Sequence, residues 1–428
     1  MDGTDASRVE SNGASAELLA PVGEGERVEL LDVLRGVAIF GILLVNLQMF
    51  FSPIYLWFST ADWWTAPVDK AAQRLVFFVA QGKFYALFSF LFGVGMAIQL
   101  QRATRRGDRF VPFFARRMGW LLLIGLAHAF LLWFGDILAI YATLGFALIL
   151  FRNRRPTTLA VWTIILLLIP LVLVGAGTAI VEVASMFPEP AAEIERATSE
   201  SNARNVEAAE QAREIYPKGS YVEILPLRAR QVGAIYTMYP VFASGILAIF
   251  LVGLNLGRRR FLQEVEPNLR LIRRLIWWLL GVGVAGNAVG VVLLDRVHPG
   301  LPSVEGFVQQ VALAVGAPAL TFFYVAAITL LVQKPAWRQR LAPLGAVGRM
   351  ALSNYLLHSL VFTTLANGYG LGLYGRIRPS VGLLMTLAMF AAQIPLSVWW
   401  LRRFRFGPVE WLWRSLTYLR PQPMRRAG

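Results

Sequence analysis

The 428-residue chain contains no cysteine and only three histidines, at positions 128, 298 and 358. Without cysteine there can be no disulfide and no thiolate chemistry, and three scattered histidines exclude a classical zinc cluster, so the sequence predicts no metal. A Walker phosphate loop is also absent, because the glycine-rich stretch 281–286 lies inside an apolar run, where small residues favour helix packing. Acidic residues are scarce: 26 Asp and Glu stand against 41 Lys and Arg, for a net charge of +15.

Long apolar runs dominate the sequence. Hydrophobic residues make up 56% of the chain and the mean hydropathy is +0.55, which together exceed what a water-soluble domain needs. The runs are long enough to cross ~30 Å of hydrocarbon, so we expect an all-α, polytopic bundle of about ten transmembrane helices. The predicted spans are residues 33–55, 84–99, 118–134, 136–151, 158–183, 235–256, 275–294, 307–332, 350–368 and 380–401.

The distribution of basic residues predicts the orientation of these spans. The connections on one side carry 26 Lys and Arg, whereas the short connections on the other side carry six. The positive-inside rule, with an even number of spans, then places both termini in the cytoplasm. Arginines beside spans attract anionic head groups with ~1 kcal/mol each, so the predicted partners are membrane lipids and not nucleic acid.

The same pattern divides the chain into segments. Residues 1–29 are polar and predict a disordered tail without the basic start of a signal peptide. Residues 30–401 form the predicted ten-span membrane domain, within which the glutamate- and alanine-rich segment 184–234 is expected to be an extracytoplasmic helical loop. Residues 402–428 are expected to be a basic cytoplasmic tail.

Polar residues in the first span share one helical stripe. Asp32 and Arg35 can pair at i, i+3, and Asn46 follows eleven residues after Arg35, within about 20° of its direction at 100° per residue. One interpretation is a boundary ion pair plus an amide that holds two helices together. The other is a functional site, since polar groups within spans are functional candidates.

Two other predicted spans carry an imidazole. His128 lies about eleven residues from Arg117, which we interpret as midplane depth, and Asn354 and His358 share a helical face at i, i+4. A histidine titrates near neutral pH and suits proton transfer, although a buried histidine can also be an ordinary core residue. Asp136 stands where it can cap the next helix.

These positions form the candidate site. The catalytic candidates are His128, Asn46, Asn354 and His358, and the substrate-binding candidates are Asp32, Arg35, Asp136, Tyr141 and Lys83. Because polar groups that face lipid are costly, we predict that Asn46, His128 and Asn354 surround one cavity. Within the second span, Gly93 and Gly95 would allow either close helix approach or a ligand.

Five motifs appear in an order that resembles the YeiB-like bacterial membrane proteins, a family known as DUF418. The motifs are Leu31-Asp32-Val33-Leu34-Arg35-Gly36 to Asn46, Leu87-Phe88-Ser89-Phe90-Leu91-Phe92-Gly93, Gly135-Asp136-Ile137-Leu138 to Tyr141, Gly348-Arg349-Met350-Ala351-Leu352-Ser353-Asn354-Tyr355, and Phe406-Gly407-Pro408-Val409-Glu410-Trp411-Leu412-Trp413-Arg414. The resemblance implies a location in the bacterial inner membrane and a distant relationship to transmembrane acyltransferases. Heparan glucosaminide N-acetyltransferases have a similar first span with asparagine at the position of Asn46, but their histidine about eleven residues later has no counterpart near Trp57.

The resemblance therefore favours acyl transfer from a cytoplasmic donor such as acyl-coenzyme A to an envelope glycan or lipid. In that hypothesis the cytoplasmic arginines attract the donor phosphate, His128 or His358 acts as the base, and Asn46 or Asn354 holds the acyl oxygen. The alternatives are a small-molecule or lipid transporter and a membrane scaffold without chemistry. A cavity open alternately to each face would favour transport.

Overall fold

The computed structural model describes residues 28–107, 109–297 and 300–426. The predicted tail up to residue 27 and His298 lie outside the described residues. Within these ranges the chain is helical, and its only strand-like feature is an isolated bridge between Phe404 and Arg425. The α-helices are α1 (Glu29–Phe51), α2 (Pro67–Val79), α3 (Lys83–Arg106), α4 (Phe110–Ala127), α5 (Leu138–Ile149), α6 (Pro156–Ala184), α7 (Pro188–Ile215), α8 (Tyr221–Arg258), α9 (Leu269–Val292), α10 (Val304–Val332), α11 (Pro335–Arg349), α12 (Ala351–Ala366), α13 (Pro379–Arg403) and α14 (Pro408–Tyr418).

Each of the ten predicted spans coincides with a helix. Among the described residues, eight helical segments are long and apolar enough to cross a membrane. The two others are shorter, because α5 has 12 residues and α12 has 16. The predicted hairpin between the third and fourth spans is confirmed, since α4 and α5 pack against each other. The connection between α4 and α5 begins with a π-helical turn at His128–Leu132.

Helix α1 lies at the centre of the bundle and contacts α3, α11, α12 and α13. Two pairs of facing glycines let backbones approach closely. A Cβ on Gly36 would lie 2.1 Å from Leu344 O on α11, and one on Gly93 would lie 2.1 Å from Phe250 O on α8. Gly348 and Gly253 complete these two crossings. Small residues thus perform the packing role that they commonly have between membrane helices.

The periphery of the bundle is apolar and exposed. Only 11% of the most apolar stretch of α6 and 17% of that of α9 are buried inside the protein. Trp277 and Trp278 on α9 are 73% and 72% exposed and follow Arg273 and Arg274. Such a surface would be unfavourable in water, whereas tryptophans next to arginines are typical of the membrane interface. The protein is therefore a multi-pass membrane protein.

Three regions that the sequence analysis treated as connections or tails contain helices. Residues 333–349, interpreted as a basic loop, form α11, which packs along α1. Residues 402–428 include α14, which packs on α4: the guanidinium of Arg117 lies 3.7 Å over the Trp413 ring, and Trp413 Nε1 donates to Arg117 O. The segment 56–83 contains α2. A short amphipathic helix buries one face only, so it lacks the continuous apolar run on which the spans were predicted.

The bundle has two distinguishable ends. Asp32 and Arg35 at the start of α1 lie at what we call the basic end. At the other end, which we call the α7 end, the segment Ile54–Phe58 after α1 packs against α7, and Thr60 N donates to Asn202 Oδ1 at 2.8 Å. The segment 184–234 therefore lies at the end of α1 opposite to Arg35, and its helical character agrees with the prediction of surface helices.

Candidate functional site

His128 stands where α4 changes from an α-helix to a π-turn. The turn covers His128–Leu132, and Trp133 N donates to His128 O at 2.8 Å as the chain leaves the helix. π-Turns are rare and recur at functional sites, because they redirect a side chain out of the regular α-helical register. The His128 side chain is buried, at 2% exposure.

Both nitrogens of the His128 ring are engaged. Nδ1 lies 2.8 Å from Asp136 Oδ1, and Nε2 lies 2.7 Å from Ser359 Oγ. With Asp136 ionised and the imidazole neutral, Nδ1 donates to the carboxylate and Nε2 accepts the hydrogen of the serine hydroxyl. All three side chains are buried. This order of carboxylate, imidazole and hydroxyl is also that of Ser-His-Asp triads, and we call the three side chains the Asp136–His128–Ser359 relay.

The position of Ser359 depends on how α12 begins. Glu410 Oε1 accepts from Leu352 N at 2.7 Å and from Ser353 N at 3.0 Å, so this buried carboxylate caps the start of α12. The contact joins two of the family-like motifs, which are about 58 residues apart in the chain. It fixes the helix that carries Tyr355 and Ser359.

A cavity of about 730 Å³ opens at the basic end. Its volume lies in the range of small-molecule sites, which is ~300–1,000 Å³. Eight arginines line it: Arg35, Arg102, Arg105, Arg117, Arg260, Arg349, Arg405 and Arg414. The two acidic lining residues are already engaged, since Asp32 pairs with Arg35 at 2.6 Å and Glu410 caps α12. The cavity therefore attracts anions at this end.

The inner part of the same cavity is apolar and approaches the relay. Ile39, Ile42 and Leu91 form part of its wall. Tyr355 also lines it, and the Tyr355 ring centroid lies 5.1 Å from that of His128. Ile137, the residue after Asp136, is in the lining too. We call this space the amphipathic cavity, because it joins a cationic mouth to an apolar interior.

The structure groups the predicted site residues into several places. His128 and Asp136 lie together in the relay, and Asp136 also caps α5, because its Oδ2 accepts from Ala139 N at 2.7 Å. Asp32, Arg35 and Tyr141 line the amphipathic cavity. Tyr141 donates to Tyr85 O at 2.8 Å, which fixes its ring in the wall.

Asn354 and His358 lie in a separate buried cluster between α12 and α13. His358 Nε2 lies 2.7 Å from Gln393 Oε1, and Asn354 Nδ2 donates to Ser397 Oγ at 3.1 Å. The predicted meeting of Asn46, His128 and Asn354 around one cavity is not observed, because none of the three is in the lining of the amphipathic cavity. Asn354 and His358 share a helix with Ser359 but belong to its α13-facing side.

Neither of the two remaining candidates hydrogen-bonds to the relay among the described residues. Asn46 is half-buried on α1. Lys83 is fully buried at the start of α3, where Nζ donates to Phe77 O at 2.8 Å, so it satisfies a carbonyl near the end of α2. Gly95 lines the amphipathic cavity, whereas Gly93 makes the close approach to α8. Gly93 therefore makes the predicted close helix approach, whereas a ligand at Gly95 stays a prediction.

Sequence reasoning missed Ser359 and Glu410. Ser359 directly follows His358, but serine is a common packing residue in membrane helices and gave no separate signal. Glu410 lies inside a family-like motif, yet its partner on α12 is visible only in the tertiary structure.

The fold and the site define a class: a multi-pass helical membrane protein with a buried Asp–His–Ser hydrogen-bonded chain beside an amphipathic cavity. Within that class the chain belongs to the YeiB-like DUF418 family. A family model described as "Protein of unknown function (DUF418)" matches residues 256–420. The chain is similar to YxaH of Bacillus subtilis (strain 168), with 40% identity over 95% of this chain and 98% of that protein. It is also similar to YeiB of Escherichia coli (strain K12), with 32% identity over 92% of this chain and 96% of that protein. The predicted family membership is confirmed.

Proposed function

We propose that the protein is a transmembrane acyltransferase of the bacterial inner membrane, which takes an acyl group from a cytoplasmic acyl thioester such as acyl-coenzyme A. The observation that supports this proposal is the position of the amphipathic cavity beside the relay, with only the Tyr355 ring between the cavity and His128. Arginines at the mouth suit the phosphates of the donor, because a guanidinium binds them through charge-assisted hydrogen bonds. The apolar interior suits its acyl chain. The 26-to-six distribution of basic residues supports a cytoplasmic mouth.

The relay supplies the chemistry in two balanced steps. Ser359 Oγ attacks the carbonyl carbon of the thioester while its proton passes to His128 Nε2. The carbon–sulfur bond breaks, the thiolate takes that proton, and an ester remains on Ser359. Then a hydroxyl or amine of an envelope acceptor gives its proton to His128 and attacks the ester. The carbon–oxygen bond to Ser359 breaks, and Ser359 regains the proton.

Asp136 and Tyr355 assist from fixed positions. Asp136 holds the proton on Nδ1 and stabilises the imidazolium that each step creates. Tyr355 lies between the amphipathic cavity and His128, so its ring must turn aside for the acyl group to reach Ser359. The amphipathic cavity and the relay together favour acyl transfer over a scaffold, which needs neither.

The test uses the full chain in lipid nanodiscs with acyl-coenzyme A. We expect free coenzyme A to be released and the intact mass to rise by one acyl group. His128→Gln can still bond to both neighbours but cannot shuttle a proton, so we expect a loss of ~10² to 10⁴ in rate with normal protein yield. Ser359→Ala should also abolish the mass increase. The matched control is His358→Gln, which changes the other buried histidine of the site region and should retain activity.

Several outcomes would contradict the proposal. Equal rates in His128→Gln and the unmodified protein would remove the relay from the reaction. Coenzyme A release by Ser359→Ala without an acylated protein would show that His128 acts directly on the acceptor. Uptake of a solute into proteoliposomes without any coenzyme A release would assign the protein to the transporters instead.

A further inference from the structure

Arg228 is a buried cation at the α7 end of the bundle. It lies in the first half of α8, outside the candidate span Tyr239–Arg258, and is 1% exposed. Nη1 donates to Leu131 O, whereas Nη2 is buried without a hydrogen-bond partner among the described residues. None of the described carboxylates lies within ion-pair distance of it. The Tyr216 hydroxyl lies close enough to hydrogen-bond to the guanidinium, but a neutral phenol cannot balance the charge. Such a charge is unfavourable without a counter-charge.

Two more buried polar groups line the same small pocket. Trp133 Nε1 is buried without a partner in the described part of the chain, and the buried Tyr374 hydroxyl makes no hydrogen bond of ordinary geometry there, although the Gln231 side chain is close to it. The Tyr374 ring stacks on Tyr216 at a centroid distance of 4.6 Å, and Tyr216 donates to Gln231 Oε1. Guanidinium and indole groups can only donate, and a phenol can donate as well. The pocket is therefore built for an acceptor-rich group.

The pocket is small, and its size restricts the occupant. The space is about 10 Å³, which is enough for one oxygen-sized atom. A single oxygen of a carboxylate or phosphate fits this space and neutralises Arg228. A neutral hydroxyl fits the space but leaves the charge unbalanced, and a cation would be repelled.

The pocket adjoins the relay on the side away from the amphipathic cavity. Trp133, in its wall, has its ring centroid 6.2 Å from that of His128. Thr363, also in the wall, lies one turn after Ser359 and donates to Ser359 O at 2.6 Å. Tyr355, one turn before Ser359, lines the amphipathic cavity instead. Ser359 thus lies between the two spaces along α12.

We propose that Arg228, Trp133 and Tyr374 form an anion site that binds a carboxylate or phosphate of the acyl acceptor. The acceptor assignment rests on the proposed acyl transfer, whereas the anion site itself does not. An acceptor anchored there by its anionic group presents its hydroxyl or amine towards the relay from the α7 end, opposite to the donor. The substrate class is therefore an anionic envelope molecule, and the anionic group belongs either to a glycan or to a lipid head group.

The site is tested first by binding alone, with purified full-length protein in detergent. Sodium acetate and sodium phosphate are titrated at constant ionic strength, and the readouts are tryptophan fluorescence and the midpoint of thermal unfolding. We expect a saturable response to at least one oxyanion. Arg228→Met should weaken it about tenfold or more, because a charge-assisted hydrogen bond is lost. Tyr374→Phe removes only a hydroxyl and should weaken it less. Arg230→Met, an exposed arginine on the same helix, should leave it unchanged.

The outcomes separate the site from the proposed function. No saturable response, or the same response in Arg228→Met as in the unmodified protein, would show that the pocket holds water only. Saturation by chloride as tightly as by both oxyanions would overturn the acceptor assignment. If binding is confirmed, acylation of an acidic glycan and of an anionic lipid in nanodiscs distinguishes the two sources. Binding without transfer to either would contradict the proposed function and leave the anion site intact.

Discussion

His128 Nδ1 lies 2.8 Å from Asp136 Oδ1, across the turn that joins α4 to α5. The π-turn begins at His128 and continues into the seven residues between the two side chains, so the turn geometry sets this distance. The second oxygen of Asp136 caps α5 through Ala139 N. One carboxylate therefore has two roles. It caps α5, as its position before that helix predicted, and it orients the His128 ring, which the sequence could not show.

The two roles of Asp136 can be separated by substitution. Asp136→Asn keeps an oxygen for Ala139 N but can present an N–H to His128 Nδ1, which would force the proton onto Nε2. We expect a normally folded protein with strongly reduced acyl transfer. Asp136→Ala removes the cap as well and should lower the free energy of unfolding by ~1 kcal/mol. Thermal unfolding and coenzyme A release are measured side by side. Full activity in Asp136→Asn would rule out the orienting role.

Two glycines of α3 distinguish the amphipathic cavity from the helix packing. A Cβ on Gly95 meets nothing within 4 Å, and Gly95 lines the cavity. We expect Gly95→Leu to fold normally and to reduce the use of long-chain donors more than that of short-chain donors. Gly93→Ala is the matched control, because its Cβ would lie 2.1 Å from Phe250 O, and overpacking typically costs ~1–3 kcal/mol. Unchanged chain-length preference in Gly95→Leu would contradict the donor site.

Glu410 should give the protein a pH-dependent stability. Burial raises the pKa of this carboxyl above its ordinary value of 4.5, although hydrogen bonds from Ser353 and Leu352 oppose the rise. The folded protein then binds a proton that the unfolded chain has released, so stability is greatest below pH 4.5 and falls as pH rises through the raised pKa. Unfolding midpoints measured across this window should fall in the unmodified protein. Glu410→Gln, which keeps an acceptor for Leu352 N, should remove that part of the slope, and an identical slope would contradict the assignment.

The orientation of the bundle can be measured in a cysteine-free background. Ser199→Cys on α7 and Ala336→Cys on α11 introduce single thiols at exposed positions on the two ends of the bundle. We expect a membrane-impermeant maleimide to label position 199 in intact spheroplasts and position 336 only after permeabilisation, as the distribution of arginines predicts. Labelling with the opposite sidedness would invert the topology and place the arginine-lined mouth outside.

Much of the fold followed from the sequence, because a bilayer accepts few structures. Backbone groups in hydrocarbon must be paired within the segment, so each long apolar run had to become a helix. Gly135-Asp136 indicated the α4–α5 hairpin, and the family-like motifs identified the family. The polarity of α12 was visible as well, since Ser353, Asn354 and His358 interrupt its apolar run.

The sequence by itself determined the class of protein, the helices and most of the polar and ionisable residues that are candidates for a site. The tertiary structure decided which of them meet. His128 and Ser359 are 231 residues apart, and helical periodicity says which face a residue occupies but not which helix lies opposite. The spacing of Asn354 and His358 indicated a functional site at least as strongly as the position of Ser359 did. In the structure, however, Asn354 and His358 contact α13, whereas Ser359 contacts His128 at the end of α4. Which helix packs against which face depends on side-chain ridges, glycines and helix caps that distant segments contribute. It is therefore visible only in the packed structure.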